Sequence, residues 1–300
     1  MVNQEVIILD VKSLDEVKEK MKKAGASNFH VLVDFDRTIT YGLNPDGNRT
    51  ETVISQLRSD SKYLGGDYQK EANRLFDIYH PIEVDTKISL AEKMKKMHEW
   101  WKLHFDLIAS SGLTTKVIEQ VAREKPLRFR KGSLEFLSFL AEKGIPIVFM
   151  SAAPGDMILE YLRQNSLLHS NVHVVANRYK FDSKGRVISV QEPIIHTFNK
   201  TEVTLEGVSI YPELKKRKNV LLLGDSIGDV GMVEGFKYDN LIKIGFLNEE
   251  VEKNLDLYKD NFDVVLTGDQ DLGYINKLVK GDIKWKSQKL YLIFLKKILN

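Results

Sequence analysis

Val31-Leu32-Val33-Asp34-Phe35-Asp36-Arg37-Thr38 carries a short apolar, largely β-branched run straight into two aspartates separated by one residue. Residues 31–33 read as a strand buried on both faces, the pattern of a parallel sheet. Similar runs recur at Ile145-Pro146-Ile147-Val148-Phe149-Met150, Val172 to Val175, Val220 to Leu223 and Val264 to Leu266. Helical patterns separate most of them, for example Leu134 to Lys143 and Asp156 to Gln164. This alternation predicts an α/β fold, a doubly wound Rossmann-like parallel sheet with helices on both faces. In such sheets ligands bind beyond the carboxyl ends of the strands, which is where Asp34 and Asp36 fall.

Upstream of that strand, Ser13 and Glu16 have the spacing of a capping box and predict a charged amphipathic helix reaching Gly25. Downstream the alternation breaks. From Leu43 to Arg128 no buried strand is evident, and Leu90 to Ile108, with Met94, Met97, Trp101 and Phe105 at helical spacing, is the longest helical pattern. The expectation is an inserted helical cap over residues 43–128, covering a site on a core built from residues 1–42 and 129–300.

Three further stretches carry chemistry. Leu221-Leu222-Leu223-Gly224-Asp225-Ser226-Ile227-Gly228-Asp229 again sets acids directly after an apolar strand. Two such strand ends side by side offer the oxygen ligands that a hard cation such as Mg²⁺ prefers. In Phe149-Met150-Ser151-Ala152-Ala153-Pro154-Gly155-Asp156 a strand end precedes a helix, so Ser151 is either a helix cap or part of a phosphate seat. Lys200, in Phe198-Asn199-Lys200, offers a positive charge whose place in the fold the sequence alone leaves open.

Bulk properties bound the alternatives. The 300 residues are 43% hydrophobic and 29% charged, and 44 basic against 42 acidic residues give a net charge of +2. That balance provides no general electrostatic case for a nucleic acid polymer or a membrane as partner. Cysteine is absent, which excludes disulfides and cysteine-ligated metals and is compatible with a cytoplasmic location. Met1 to Asp10 does not read as a signal peptide, and no run of about 18 apolar residues predicts a membrane span. The tail Ile283 to Asn300 reads as a packed helix or, alternatively, a membrane or partner contact, its apolar run being too short to span.

Taken in order, Asp34, Asp36, Ser151, Lys200 and the Asp225–Asp229 block are similar to the four motifs of the haloacid-dehalogenase-like superfamily. More narrowly, the chain resembles the cytosolic pyrimidine 5′-nucleotidase family (cytosolic 5′-nucleotidase type III). That likeness is carried by Pro81-Ile82-Glu83-Val84-Asp85, Asn171-Val172-His173-Val174-Val175-Ala176-Asn177, Ile195-His196-Thr197-Phe198-Asn199-Lys200 and Ile242-Lys243-Ile244-Gly245-Phe246-Leu247-Asn248, and it spans roughly Val31 to Leu278.

The resemblance implies a Mg²⁺-dependent hydrolysis of nucleoside 5′-monophosphates through an aspartyl-phosphate on Asp34. It implies Asp36 as acid and base, and Asp34, the Asp36 carbonyl and Asp225 as metal ligands. Ser151, the Ala152 amide and Lys200 are then the phosphate contacts, and Asp229 supports the metal through a water or Lys200. Glu83 matches the family's base-recognising glutamate, with Trp100, Trp101 and Phe105 as either a stacking surface or a buried helix face. His104 falls where a cap serine of the family contacts a methylated-guanosine substrate, so the preferred base stays open. Arg37 and Ala153 depart from the family pattern without removing a catalytic group. Transfer of the phosphoryl group to another nucleoside is a further expectation. A phosphatase of another small phosphometabolite and a catalytically silent binding protein are the competing readings.

Overall fold

Burial dictates the centre of the sheet. Every residue of Phe29–Val33 is buried, and the pleat sends Val31 and Val33 into one apolar layer and Leu32 into the other. The computed structural model describes residues 4–85, 87–201, 208–235, 237–283 and 285. Its strands are β1 (Val6–Ile8), β2 (Phe29–Val33), β3 (Ile147–Pro154), β4 (Val172–Asn177), β5 (Tyr179–Phe181), β6 (Val187–Val190), β7 (Asn219–Gly224), β8 (Asn240–Leu247) and β9 (Val264–Thr267). Seven form one sheet in the order β1-β9-β8-β7-β2-β3-β4, and β5 and β6 pair separately. All neighbours in the large sheet are parallel except β1 on β9. The predicted doubly wound α/β sheet is therefore present.

The helices are α1 (Val11–Ala24), α2 (Val53–Arg58), α3 (Tyr68–Val84), α4 (Leu90–Ser110), α5 (Thr115–Glu124), α6 (Ser133–Glu142), α7 (Gly155–Gln164), α8 (Tyr211–Leu214), α9 (Val251–Lys259) and α10 (Gly273–Lys277). Between β2 and β3 the described residues form helices α2 to α6 and only isolated bridges such as Thr40 with Phe129. Helices α3 and α4 pack on each other around Leu75, Tyr79, Met97 and Trp100. Helix α5 lies on α7, and α2 touches both β3 and α3, so the inserted segment is joined closely to the sheet layers.

Several expectations are corrected. Helix α1 starts at Val11, and its cap is Asp10, whose carboxylate accepts the Ser13 N–H at 2.9 Å. Ser13 thus lies inside the first turn, because an anionic acceptor already stands one turn earlier. Strand β1 was not anticipated: it is three residues long, and Val6 is exposed at the sheet edge. Strand β8 overlaps the Ile242–Asn248 stretch, which carries a family resemblance but no strand pattern. Lys243 and Gly245 interrupt its apolar run, yet Gly245 is required, since a Cβ there would lie 2.6 Å from the Phe262 ring. The expected tail helix falls on residues 284 and 286–300, outside the described residues apart from Ile283 and Trp285.

Candidate active site

Register places three strand ends level. Val33 of β2 pairs with Phe149 of β3 on one side and Leu223 of β7 on the other. The chain therefore leaves the sheet as Asp34, as Met150-Ser151 and as Gly224-Asp225 at one depth, at the point where strand order reverses. The Asp34 amide still donates to the Leu223 carbonyl at 3.0 Å, which locks the ends of β2 and β7 together.

Lys200 bridges this cluster. Its Nζ donates to Asp34 Oδ1 at 2.7 Å and to Asp229 Oδ1 at 2.7 Å, and all three residues are buried. The other oxygen of Asp229 accepts from Ser226 N and Ser226 Oγ at 3.0 and 2.9 Å and from Asp225 N at 3.2 Å. The loop is tight enough that a Cβ on Gly224 would fall 2.5 Å from the Asp229 Cβ. Asp229 thus holds Lys200 and shapes the turn that carries Asp225, while Tyr258 Oη donates to the Asp225 carbonyl.

The electrostatics call for more positive charge. Asp34, Asp225 and Asp229 each present an oxygen within 4.8 Å of the others, against the single ammonium of Lys200. Burial raises Asp34 to about 7 despite Lys200, with Asp229 and Asp36 adding to the rise. Burial, with Asp34 and Asp229 adding to it, pushes Asp225 well above the usual carboxylate range. Burial alone would lower Lys200, but Asp229 and Asp34 outweigh it and hold the ammonium charged. A site of crowded carboxylate oxygens without sulfur or imidazole fits a hard divalent cation.

Asp36 stands two residues on. Its Oδ1 accepts the Val53 N–H at 2.9 Å, which ties the acid to the first turn of α2. Burial raises it to about 6 against the pull of that hydrogen bond and of Arg37. A carboxyl group titrating there can exchange a proton near neutrality. Ser151 is not a helix cap. It lies inside β3, buried, with Oγ accepting from Ala153 N at 3.1 Å, and α7 begins only at Gly155 behind Pro154. Ser151, Ala152, Lys200, Asp34, Asp36 and Asp225 line one cavity of about 300 Å³.

That cavity shares Arg37, Thr52, Ile54, Glu83 and Trp101 with a larger one of about 550 Å³ beneath α3 and α4. Glu83 sits at the join. Its Oε1 accepts from Thr197 Oγ1 at 2.7 Å, and its Oε2 lies 3.2 Å from His80 Nδ1. Burial raises Glu83, but these two bonds together with the charge interactions of His80 and His196 outweigh it and keep Glu83 below its usual pKa. His104 and Trp101 line the larger cavity, and burial with Arg58 lowers His104 to about 3, so its imidazole is neutral opposite Tyr68 Oη at 3.0 Å. Phe105 does not reach the cavity: it is buried in the main core, edge-on to Tyr179.

Sequence reading missed Arg130. This buried guanidinium donates to the carbonyls of Thr38 at 2.8 Å and Arg37 at 2.6 Å, to Asn248 Oδ1 at 2.8 Å and to the Gln270 carbonyl, and pairs with Asp269 at 2.9 Å. Asp269 in turn accepts from the amides of Gly42 and Leu43 at 2.7 and 2.9 Å. The network fixes the chain just after Asp36, where Arg37 holds a left-handed φ of 62°. A basic residue between Phe129 and Lys131 carries no sequence signal of this role.

The comparisons agree with this geometry. The family model for pyrimidine 5′-nucleotidase (UMPH-1) matches residues 37–282. A 7-methylguanosine phosphate-specific 5′-nucleotidase of Mus musculus is 34% identical over 269 residues, 89% of each chain. The Gallus gallus protein of the same description is 35% identical over 262 residues, 87% of this chain and 90% of the relative. The solved structure of cytosolic 5′-nucleotidase IIIB bound to cytidine superposes with a TM-score of 0.85 at 31% identity, covering 98% of this chain and 95% of that one. Phosphoserine phosphatase in its apo form, at 15% identity and a TM-score of 0.51, shares the fold alone.

Proposed function

The chain belongs to the pyrimidine 5′-nucleotidase (UMPH-1) family, and from that premise we propose that it hydrolyses nucleoside 5′-monophosphates with Mg²⁺ through an aspartyl-phosphate on Asp34. The observation that carries this reading is the buried Asp34–Lys200–Asp229 bridge, which opens beside Asp225 into the cavity joined by Glu83. Pyrimidine and 7-methylguanosine monophosphates are the proposed substrates, in keeping with the names of the relatives. Residues 43–128 are the proposed cap on a core of 1–42 and 129–300. No described helix is long and apolar enough to cross a membrane, and we assign the activity to the cytoplasm.

Asp34, the Asp36 carbonyl and Asp225 would hold the cation, which when bound screens the phosphate charge and orients the phosphoryl group. Ser151 Oγ and the Ala152 amide donate to phosphoryl oxygens, and Lys200 offsets the charge of Asp34. An Asp34 oxygen forms a bond to phosphorus as the bond to the 5′-oxygen breaks, and Asp36 gives that oxygen its proton. Asp36, now a carboxylate, takes a proton from water, whose oxygen attacks phosphorus and releases Asp34. A nucleoside hydroxyl in place of that water makes the same step a phosphotransfer.

A panel of nucleoside monophosphates, assayed with Mg²⁺ and with a chelator, tests the reading. Chelation should lower turnover at least about a hundredfold, since such a cation contributes several kcal/mol to the transition state. Phosphate release from no nucleotide, or release indifferent to metal, contradicts it. Glu83→Ala separates nucleotides from other phosphate esters. A lost charged hydrogen bond, worth ~1.5–3 kcal/mol, should lower kcat/KM for nucleotides about tenfold or more relative to phosphoserine. An unchanged ratio would instead favour another small phosphometabolite as substrate.

A further inference from the structure

The larger cavity holds a cation that the phosphoryl chemistry does not use. Arg58 ends α2, half-buried, with its guanidinium carbon 4.2 Å from the centre of the Phe76 ring. The acids that act on it, Asp77 and Glu51, do so at longer range and form no ion pair with it. Arg58 lines the cavity and its guanidinium makes no hydrogen bond or ion pair among the described residues.

From Arg58 the cavity wall continues along one face of α3. Phe76, His80 and Glu83 follow at helical spacing. The Phe76 and His80 rings stack at 4.6 Å and 17°, and His80 reaches Glu83. Trp101 and His104 of α4 line the same cavity. The wall thus runs from a cation without an ion pair among the described residues, through two stacked rings, to a carboxylate.

The balance of charge decides what suits this space. Among the charged groups lining it, Arg49 is paired with Glu249 and Glu51 with Lys125. Arg37 and Arg58 then line the space together with Glu83, which is itself bonded to Thr197 and His80, and His104 is uncharged. A neutral pyrimidine brings carbonyl or ring-nitrogen acceptors that a guanidinium fork can engage. A 7-methylguanine brings a positive charge, and its methyl group blocks N7, one of the two acceptors that an arginine takes on guanine.

We propose that Arg58 is a specificity-determining residue that favours nucleotides with a neutral, acceptor-bearing pyrimidine over those with a cationic 7-methylguanine; this rests on the nucleotidase reading of the site. The test is the ratio of kcat/KM for cytidine monophosphate to that for 7-methylguanosine monophosphate in the wild type, Arg58→Lys and Arg58→Met. The wild-type ratio should be ten or more, equivalent to ~1.4 kcal/mol. It should fall at least about tenfold in Arg58→Met, with Arg58→Lys between, since lysine keeps the charge and loses the fork. If Arg58→Met does not fold, the wild type and Arg58→Lys decide, and the lysine ratio must still be the lower. A wild type that prefers 7-methylguanosine monophosphate, or a ratio that position 58 does not move, overturns the inference alone. Turnover of phosphoserine with neither nucleotide hydrolysed overturns the nucleotidase reading and this inference with it.

Discussion

Asp34→Asn should lower kcat by about 10⁴-fold or more while leaving the protein folded. The amide is nearly the size of the carboxylate but does not attack phosphorus, and loss of a nucleophile removes the covalent route altogether. Folding should survive because Asp34 is one of three crowded carboxylates, two of them buried, set beside a single ammonium that pairs with Asp34 and Asp229. Removing one negative charge relieves repulsion between Asp34 and Asp225, and Lys200 keeps Asp229 as its partner. The melting temperature of the metal-free variant should therefore equal or exceed that of the wild type. A modest loss of turnover, or a full loss accompanied by unfolding, would contradict this account of the cluster.

Asp36→Asn should show a loss that depends on the leaving group. General acid and base help is worth about 10²–10⁴-fold, and an asparagine provides neither. A nucleoside 5′-oxygen leaves as a poor alkoxide and needs the proton, whereas nitrophenolate leaves without one. With p-nitrophenyl phosphate the variant should release a burst of nitrophenolate and then turn over slowly, because only the second, base-assisted step is crippled. With a nucleotide it should show no burst. The Val53 amide can still donate to the asparagine Oδ1, so the start of α2 should stay in place. Equal losses for both substrates with no burst would remove Asp36 from the acid–base role.

The sheet and the site differ in how plainly the sequence announces them. Buried strands such as β2 and β7 are continuous apolar runs because both faces are covered, and the acids that follow them are visible for that reason. Strand β8 was obscured by Lys243 and Gly245, whose fitness depends on Phe262 and on the neighbouring strands. Lys200 shows the same limit within the site. In the sequence it is one lysine among many, and only the fold carries it across 166 positions to Asp34.

The segment between β2 and β3 was legible as helices but not as a surface. Trp101 and Phe105 share a helical stripe, yet one lines the cavity and the other is buried against Tyr179. Periodicity identifies the apolar face of α4 without saying which part of it meets the core and which meets a ligand. Arg58 and Arg130 were silent for a related reason: an arginine in the sequence reads as solvated until its surroundings are known. One is a buried clamp with five partners around the loop after Asp36, the other a cation left facing a cavity.

The central claim is that Asp34 carries the phosphoryl group between substrate and water. Rapid acid quenching of the enzyme during turnover of a nucleoside monophosphate with a radiolabelled phosphate, followed by peptide mapping, tests it directly. The account predicts label on the peptide containing Asp34, lost under mild base as an acyl phosphate should be and absent from Asp34→Asn. Rapid turnover with no label on the protein, or label on any other residue, would contradict it.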